Sequence, residues 1–174
     1  MTFRRLLAAF AAFALAGCAS VDVADYRAER PVLDLARYFN GTVDGWGMFQ
    51  DRSGRVVKRF RVRIDATWEG NVGTLDEHFE YSDGTTERRV WTLVRDRDRY
   101  TGTAGDVVGT AEGTAAGNAL HWRYVLALAV DGRTWHVDMD DWMFLVDETT
   151  LLNRTTMSKL GVKVGEVTLS FRKR

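Results

Sequence analysis

Hydrophobic and polar positions alternate with a period of two from about residue 38 to the end of the chain. The clearest run is Val56 to Trp68, where every second residue from Phe60 onward is apolar and the intervening positions are mostly charged. Such alternation is typical of a strand with one buried face and one solvated face. Short turn signals rich in Gly, Asp and Asn separate the runs, so the pattern predicts an antiparallel sandwich or barrel.

The segment Ala119 to Val146 predicts a hairpin that turns at Asp131-Gly132, a strong two-residue turn signal. The resulting register pairs Leu128 with Trp135, Tyr124 with Met139, Trp122 with Asp141 and, on the other face, Arg123 with Asp140. A slip of one residue would send each apolar row to the wrong face, so the agreement of the two rows supports this register. Residues 142–146 are apolar on both faces, which predicts either a bulge or burial on both sides.

The whole pattern predicts an all-β domain over residues 38–174, with about nine or ten strands and no long helix. A sheet of this size most easily closes into a single antiparallel barrel, because closure removes its exposed edges. The glycine-rich stretch Thr101 to Asn118 fits thin, curved strands better than a phosphate loop, since no Lys-Ser/Thr pair follows it. Residues 18–37 are interpreted as a tether and lead-in, in which Val32 to Tyr38 forms a helical turn or a plug.

The first seventeen residues have the form of a signal peptide. Arg4 and Arg5 precede an apolar run from Leu6 to Ala16, which is too short to cross a hydrocarbon core that needs roughly 20 helical residues. The run ends in Leu15-Ala16-Gly17-Cys18, the pattern of a bacterial lipobox. We therefore predict cleavage after residue 17 and a lipid on Cys18; the alternatives are an ordinary signal peptide with a chance cysteine, or an uncleaved short anchor.

This interpretation places the mature chain in the bacterial cell envelope, facing the periplasm and attached to a membrane through its N-terminal lipid. Ala19 and Ser20 follow the cysteine, where an aspartate would indicate inner-membrane retention in enteric bacteria, so the outer membrane is favoured. Cys18 is the only cysteine, which excludes an intramolecular disulfide.

Charge and motif content narrow the possible functions. Two of the 24 basic residues lie in the signal peptide, so the mature chain has 22 basic and 24 acidic residues. It therefore lacks the excess of positive charge that is typical of nucleic-acid-binding domains. The three histidines, His78, His121 and His136, lack metal-site spacing, and no serine lies in a nucleophile elbow. We therefore expect neither a metal nor a cofactor, and enzymatic activity is not favoured.

Six tryptophans are consistent either with a packed core or with an apolar cavity, since a barrel of eight strands can already hold a small molecule. Asp141 is the one charge in an otherwise apolar row, so it needs a hydrogen-bond partner, a ligand group, a raised pKa or a position at the wet rim. The candidate cavity residues are Trp68, Trp122, Tyr124, Trp135, Met139 and Asp141.

Several strings together resemble an uncharacterised family of proteobacterial lipoproteins, domain-of-unknown-function family 3833, over roughly Leu33 to Phe171. The strings include Gly45-Trp46-Gly47, Asp106-Val107-Val108-Gly109, Asp141-Trp142-Met143 and Ser158-Lys159. The resemblance implies a lipid-anchored envelope protein with a lipocalin-like barrel. Genes for fatty-acyl-modifying enzymes often lie beside those of relatives, which implies lipid handling.

The sequence therefore favours an envelope lipoprotein that binds or shuttles an apolar ligand such as a fatty acyl lipid. The alternatives are a non-enzymatic scaffold or interaction protein and, third, a lipid isomerase or cyclase. A cavity of about 300 Å³ or more would favour the first or third of these over a scaffold.

Overall fold

The computed structural model describes residues 20–130 and 132–174, and in these residues ten strands form one closed antiparallel barrel. The strands are β1 (Gly41–Asp51), β2 (Val56–Glu69), β3 (Val72–Tyr81), β4 (Thr86–Asp96), β5 (Arg99–Thr103), β6 (Val107–Ala116), β7 (Ala119–Val130), β8 (Arg133–Leu145), β9 (Thr150–Lys159) and β10 (Val162–Lys173). Each strand pairs with the next, and β1 pairs with β10. The predicted all-β barrel is confirmed.

The β7–β8 hairpin has the predicted register. Val130 pairs with Arg133, Leu128 with Trp135, Trp122 with Asp141 and Arg123 with Asp140. Asp131, half of the predicted turn, lies outside the described residues. Pairing of β6 with β7 runs only to Leu126, and pairing of β8 with β9 begins at Asp138, so the hairpin continues as a two-stranded extension beyond the barrel wall.

No bulge interrupts this hairpin after Asp141, because the pairing of β7 with β8 continues without a shift to Phe144. The double-sided apolar pattern has another cause. Tyr26, from the lead-in, packs on the outside of the barrel against Trp142 and Phe144, with ring centroids 6.0 and 5.1 Å apart. Burial on both faces is therefore the correct one of the two alternatives.

The lead-in closes one end of the barrel. A 3₁₀ helix, Val23–Tyr26, is held by a capping box between Asp22 and Asp25. A single helical turn, α1 (Leu35–Tyr38), follows and is capped by Asp34. The first strand therefore begins at Gly41, three residues after the predicted start of the barrel. The buried apolar residues of this plug are Leu33, Leu35, Tyr38 and Phe39.

The glycine-rich stretch forms β5 and β6, as the thin-strand interpretation predicts. Pairing of β6 with β7 shifts register between Val108 and Glu112. Gly109, inside this irregularity, has a φ of 72°, a conformation that favours glycine. In the described part of the chain, none of the helices has the length and hydrophobicity to span a membrane.

Candidate ligand-binding cavity

The barrel encloses a cavity of about 140 Å³ beneath the plug. Its wall is mostly aromatic and aliphatic, and six of the lining residues are Leu35, Phe39, Trp91, Trp122, Leu126 and Phe171. Trp122 fits against the wall because two inward positions, one on β5 and one on β6, are glycines. An added Cβ would lie 3.0 Å from its indole at Gly102 and 2.4 Å from it at Gly113.

One cluster of polar side chains in the cavity is centred on Asp141. Strand pairing places Thr155 of β9 directly opposite Asp141 of β8, and the Asn153 side-chain amide donates a hydrogen bond to Asp141 Oδ1. Burial raises the pKa of Asp141 to about 7, against the opposing effect of hydrogen bonds from Asn153 and Thr155. This side chain therefore exists in both protonation states near neutral pH.

A second cluster of polar side chains lies on β3 and β4, where Glu77 and Arg89 face each other. Arg89 Nη2 lies 2.6 Å from Asp106 Oδ2, and Arg89 Nη1 lies 3.7 Å from Glu77 Oε2. Burial raises the pKa of Glu77 to about 7, although the Arg89 charge opposes the shift. Burial alone would lower the pKa of Arg89, but Glu77 and Asp106 raise it, so the guanidinium stays charged.

Tyr124 of β7 completes the polar lining. Its ring packs edge-on against Trp91, with centroids 5.4 Å apart. Burial, and then the negative charge of Asp141, raise the pKa of Tyr124. The hydroxyl therefore stays protonated at neutral pH and is able to donate a hydrogen bond to a cavity ligand.

Four of the predicted cavity residues line this space: Trp122, Tyr124, Met139 and Asp141. Trp68 and Trp135 do not, and their assignment is corrected. The Trp68 indole nitrogen donates to the Phe39 carbonyl, 2.9 Å away, and so fixes the plug. Trp135 lies on the two-stranded extension of the hairpin and is 47% exposed. Alternation gave both residues the correct face but could not place them along the barrel axis.

Sequence reasoning missed the group formed by Glu77, Arg89 and Asp106, together with Asn153 and Thr155. A signal for Glu77 was present, because it lies between Leu75 and Phe79 in an inward row, as Asp141 lies in its own row. Asp106 lies in the turn before β6, where alternation gives no orientation.

The arrangement is suited to an uncharged, mostly apolar molecule with one polar end. The polar groups comprise a fixed cation, a tyrosine hydroxyl and two carboxyl groups that are partly protonated near neutrality. Within residues 20–130 and 132–174, no cluster of His, Cys, Asp and Glu has the composition of a metal site.

The fold and the cavity define a closed, lipocalin-like barrel. The sequence matches the family described as "Protein of unknown function (DUF3833)" over residues 12–173, and the chain belongs to that family. This confirms the resemblance seen in the sequence motifs. No curated protein matches the chain.

Two solved structures with low sequence identity share the fold, and a third gives a weaker match. A protein of unknown function from the DUF3598 family of Nostoc punctiforme has a TM-score of 0.59 and 13% identity, over 84% of this chain and 51% of that one. An S-type phycobiliprotein lyase from Guillardia theta has a TM-score of 0.54 and 7% identity, over 78% and 88% of the two chains. A designed fluorescence-activating β-barrel has a TM-score of 0.45 and 15% identity, over 82% and 99%.

Proposed function

We propose that this chain is a lipid-anchored protein of the bacterial cell envelope whose barrel binds a small, mainly apolar molecule with one hydrogen-bonding group. The observation that carries the proposal is the cavity itself, an apolar chamber into which Tyr124, Asp141 and Arg89 present polar atoms. Ligand pockets typically combine an apolar wall with a few convergent polar groups of this kind.

The size of the cavity limits the ligand. Its 140 Å³ is below the volume of about 300 Å³ that the sequence analysis set for a ligand-sized cavity, so by that criterion the volume favours the scaffold alternative and argues against a whole fatty acyl lipid. An apolar protein cavity of about 150 Å³ takes up benzene, so a single ring or a short acyl segment fits without rearrangement. A longer acyl chain requires displacement of Leu35 and Phe39, the plug residues that line the chamber.

We expect benzyl alcohol and 1-octanol to change the tryptophan fluorescence of the protein in a saturable way. Trp122→Phe should remove more of that change than Trp135→Phe, because Trp122, like Trp91, lines the cavity, whereas Trp135 lies outside. Asp141→Asn should weaken binding of benzyl alcohol more than binding of toluene. Native mass spectrometry of protein from its own host then identifies the natural ligand.

The absence of any saturable response to these probes, or an equal loss in Trp122→Phe and Trp135→Phe, would support the scaffold alternative. Trp122→Phe opens space at a buried position whereas Trp135 is exposed, so thermal denaturation of both variants must show that they are folded at the assay temperature.

Lipid attachment is proposed from the lipobox, since Cys18 lies outside the described residues. We expect Cys18→Ala to abolish incorporation of labelled fatty acid and to release the chain from the membrane fraction, because no thiol remains to carry the lipid. Cell fractionation with parallel radiolabelling measures both effects. Continued labelling of the variant would refute attachment at this residue.

A second candidate is proton-transfer chemistry, such as isomerisation or cyclisation of a lipid. Two carboxyl groups with a pKa of about 7 in an apolar chamber are poised for general acid–base catalysis. The phycobiliprotein lyase shows by its name that a similar barrel can belong to an enzyme. Incubation of the recovered ligand with the protein in D₂O tests this candidate: carbon-bound deuterium that disappears with Asp141→Asn supports it, and its absence excludes it.

A further inference from the structure

The wall of the barrel lacks a continuous backbone ladder where β4 passes the turn between β5 and β6. The strand β5 is only five residues long, and its pairing with β4 ends at Thr92 and Thr103. Residues 86–91 of β4 therefore extend past the end of β5 without a strand partner on that side. We call the boundary between residues 86–91 and the turn residues 104–106 the β4 seam.

A side-chain contact, not a backbone ladder, joins the two sides of the β4 seam. In the part of the chain that the structure describes, no backbone hydrogen bond links residues 86–91 to residues 104–106. The link is an ion pair, in which Arg89 Nε and Nη2 lie 3.0 and 2.6 Å from carboxylate oxygens of Asp106. Both residues lie three positions beyond the last β4–β5 pair, so the two segments remain side by side.

The β4 seam lies directly between the cavity and the solvent. Arg89 and Trp91 line the cavity from β4, and Ala104 and Val107 pack on the core from the other side of the seam. The Arg89 side chain is 16% exposed and the Asp106 side chain is 27% exposed, so water reaches the ion pair from outside. Parting of this ion pair would open the cavity sideways and would break no backbone hydrogen bond across the seam.

The two ends of the barrel are closed more firmly. At the plug, the Trp68 indole donates to the Phe39 carbonyl and Arg95 forms a salt bridge with Asp34 at 2.9 Å. The opposite end is filled by rings that pack on one another with centroids 5.1 to 6.0 Å apart, namely Phe49, Phe60, Phe79 and Tyr81. Entry at either end displaces several of these groups, whereas one ion pair spans the β4 seam among the described residues.

We propose that the cavity ligand enters and leaves through the β4 seam, and that the ion pair of Arg89 with Asp106 is the latch of this portal. The inference rests on ligand binding as proposed above and adds to it the route and the residues that set the rate. A latch changes the barrier to entry and to exit alike. It therefore alters both rate constants and changes the affinity much less.

A cross-link across the β4 seam tests the route. Val90→Cys and Gly105→Cys place thiols on its two sides, because both positions are exposed and each lies two residues beyond the last β4–β5 pair. An added Cβ at Gly105 meets open space. The full chain carries Cys18→Ala, which removes its only native thiol, and a short bis-maleimide joins the introduced pair. The matched control joins Thr74→Cys to Thr92→Cys, exposed direct partners in the β3–β4 ladder.

Fluorine exchange NMR with 4-fluorobenzyl alcohol measures the rates of entry and exit, and titration gives the dissociation constant. We expect the cross-link between positions 90 and 105 to slow both rates several-fold, and the cross-link between positions 74 and 92 to leave them unchanged. Asp106→Asn should raise both rates, because a neutral amide holds the Arg89 guanidinium less strongly than a carboxylate does. Circular dichroism of each sample checks that the barrel is folded.

Unchanged rates after cross-linking of positions 90 and 105, with the bound fluorine signal present, would overturn the inference and assign entry to an end of the barrel. A change in the dissociation constant alone in Asp106→Asn would show that the ion pair shapes the site and is not a latch. Absence of a bound signal in the parent chain would overturn ligand binding and the route together. If Asp106→Asn does not fold, the two cross-links alone decide the route.

Discussion

Replacing Arg89 by methionine is expected to lower the free energy of unfolding by about 3–5 kcal/mol at pH 8, the usual cost of leaving a buried ionic partner uncompensated. Arg89 is the cation that Glu77 and Asp106 share in a largely buried position. Its Nε and Nη2 atoms both contact the Asp106 carboxylate, which joins β4 to the turn before β6. Urea denaturation followed by circular dichroism measures the loss.

The neighbouring Arg88 provides the matched control. It makes two hydrogen bonds to Asp76, at 2.8 and 2.9 Å, but points outward with a side chain that is 63% exposed. Water screens an exposed pair, so Arg88→Met should cost only about 0–1 kcal/mol. Similar losses for the two substitutions would show that Arg89 does not act as a buried counter-ion.

Alternation was sufficient to predict the barrel and the hairpin register from sequence. In β7 and β8 the side-chain period of two, with a two-residue turn, leaves one register in which Leu126 and Val137 share the buried face. The signal is local and is repeated along the strand, so no knowledge of distant segments was needed.

Alternation could not predict where along the barrel each inward residue lies. Trp68 and Trp135 are both on inward rows, yet one supports the plug and the other lies beyond the wall. That position depends on how far neighbouring strands extend, as for β8, whose pairing with β9 begins only at Asp138. Contacts between distant segments were also hidden: Tyr26 covers Trp142, which sequence reasoning could explain only as a bulge or a second buried face.

The Glu77–Arg89 pair is a second example of what alternation cannot predict. The sequence shows that Glu77 is a charged residue in an inward row. Only the pairing of β3 with β4 shows that a second inward charge, Arg89, lies opposite it. The third member, Asp106, comes from a turn 17 residues after Arg89. The sequence therefore predicted an isolated carboxylate at Asp141, whereas the cavity contains two clusters of polar side chains.

Asp141→Asn is expected to make the protein more stable than wild type at pH 8 and to stabilise it much less at pH 5. Burial raises the pKa of Asp141 to about 7, from a value near 3.8 in the unfolded chain. Between these values the folded state binds more protons than the unfolded state, so this group's contribution to stability falls as pH rises and levels off above pH 7. The amide does not ionise and can still accept the Asn153 hydrogen bond.

The difference in unfolding free energy between Asp141→Asn and wild type should grow by about 2–3 kcal/mol from pH 5 to pH 8, since one unit of pKa shift corresponds to about 1.4 kcal/mol. Urea denaturation at intervals of half a pH unit measures it. Asp138→Asn, at an exposed outward position on the same strand, should give a curve parallel to wild type. If Asp141→Asn also runs parallel to wild type, Asp141 is not a buried carboxyl group with a raised pKa, and the polar end of the cavity is permanently charged.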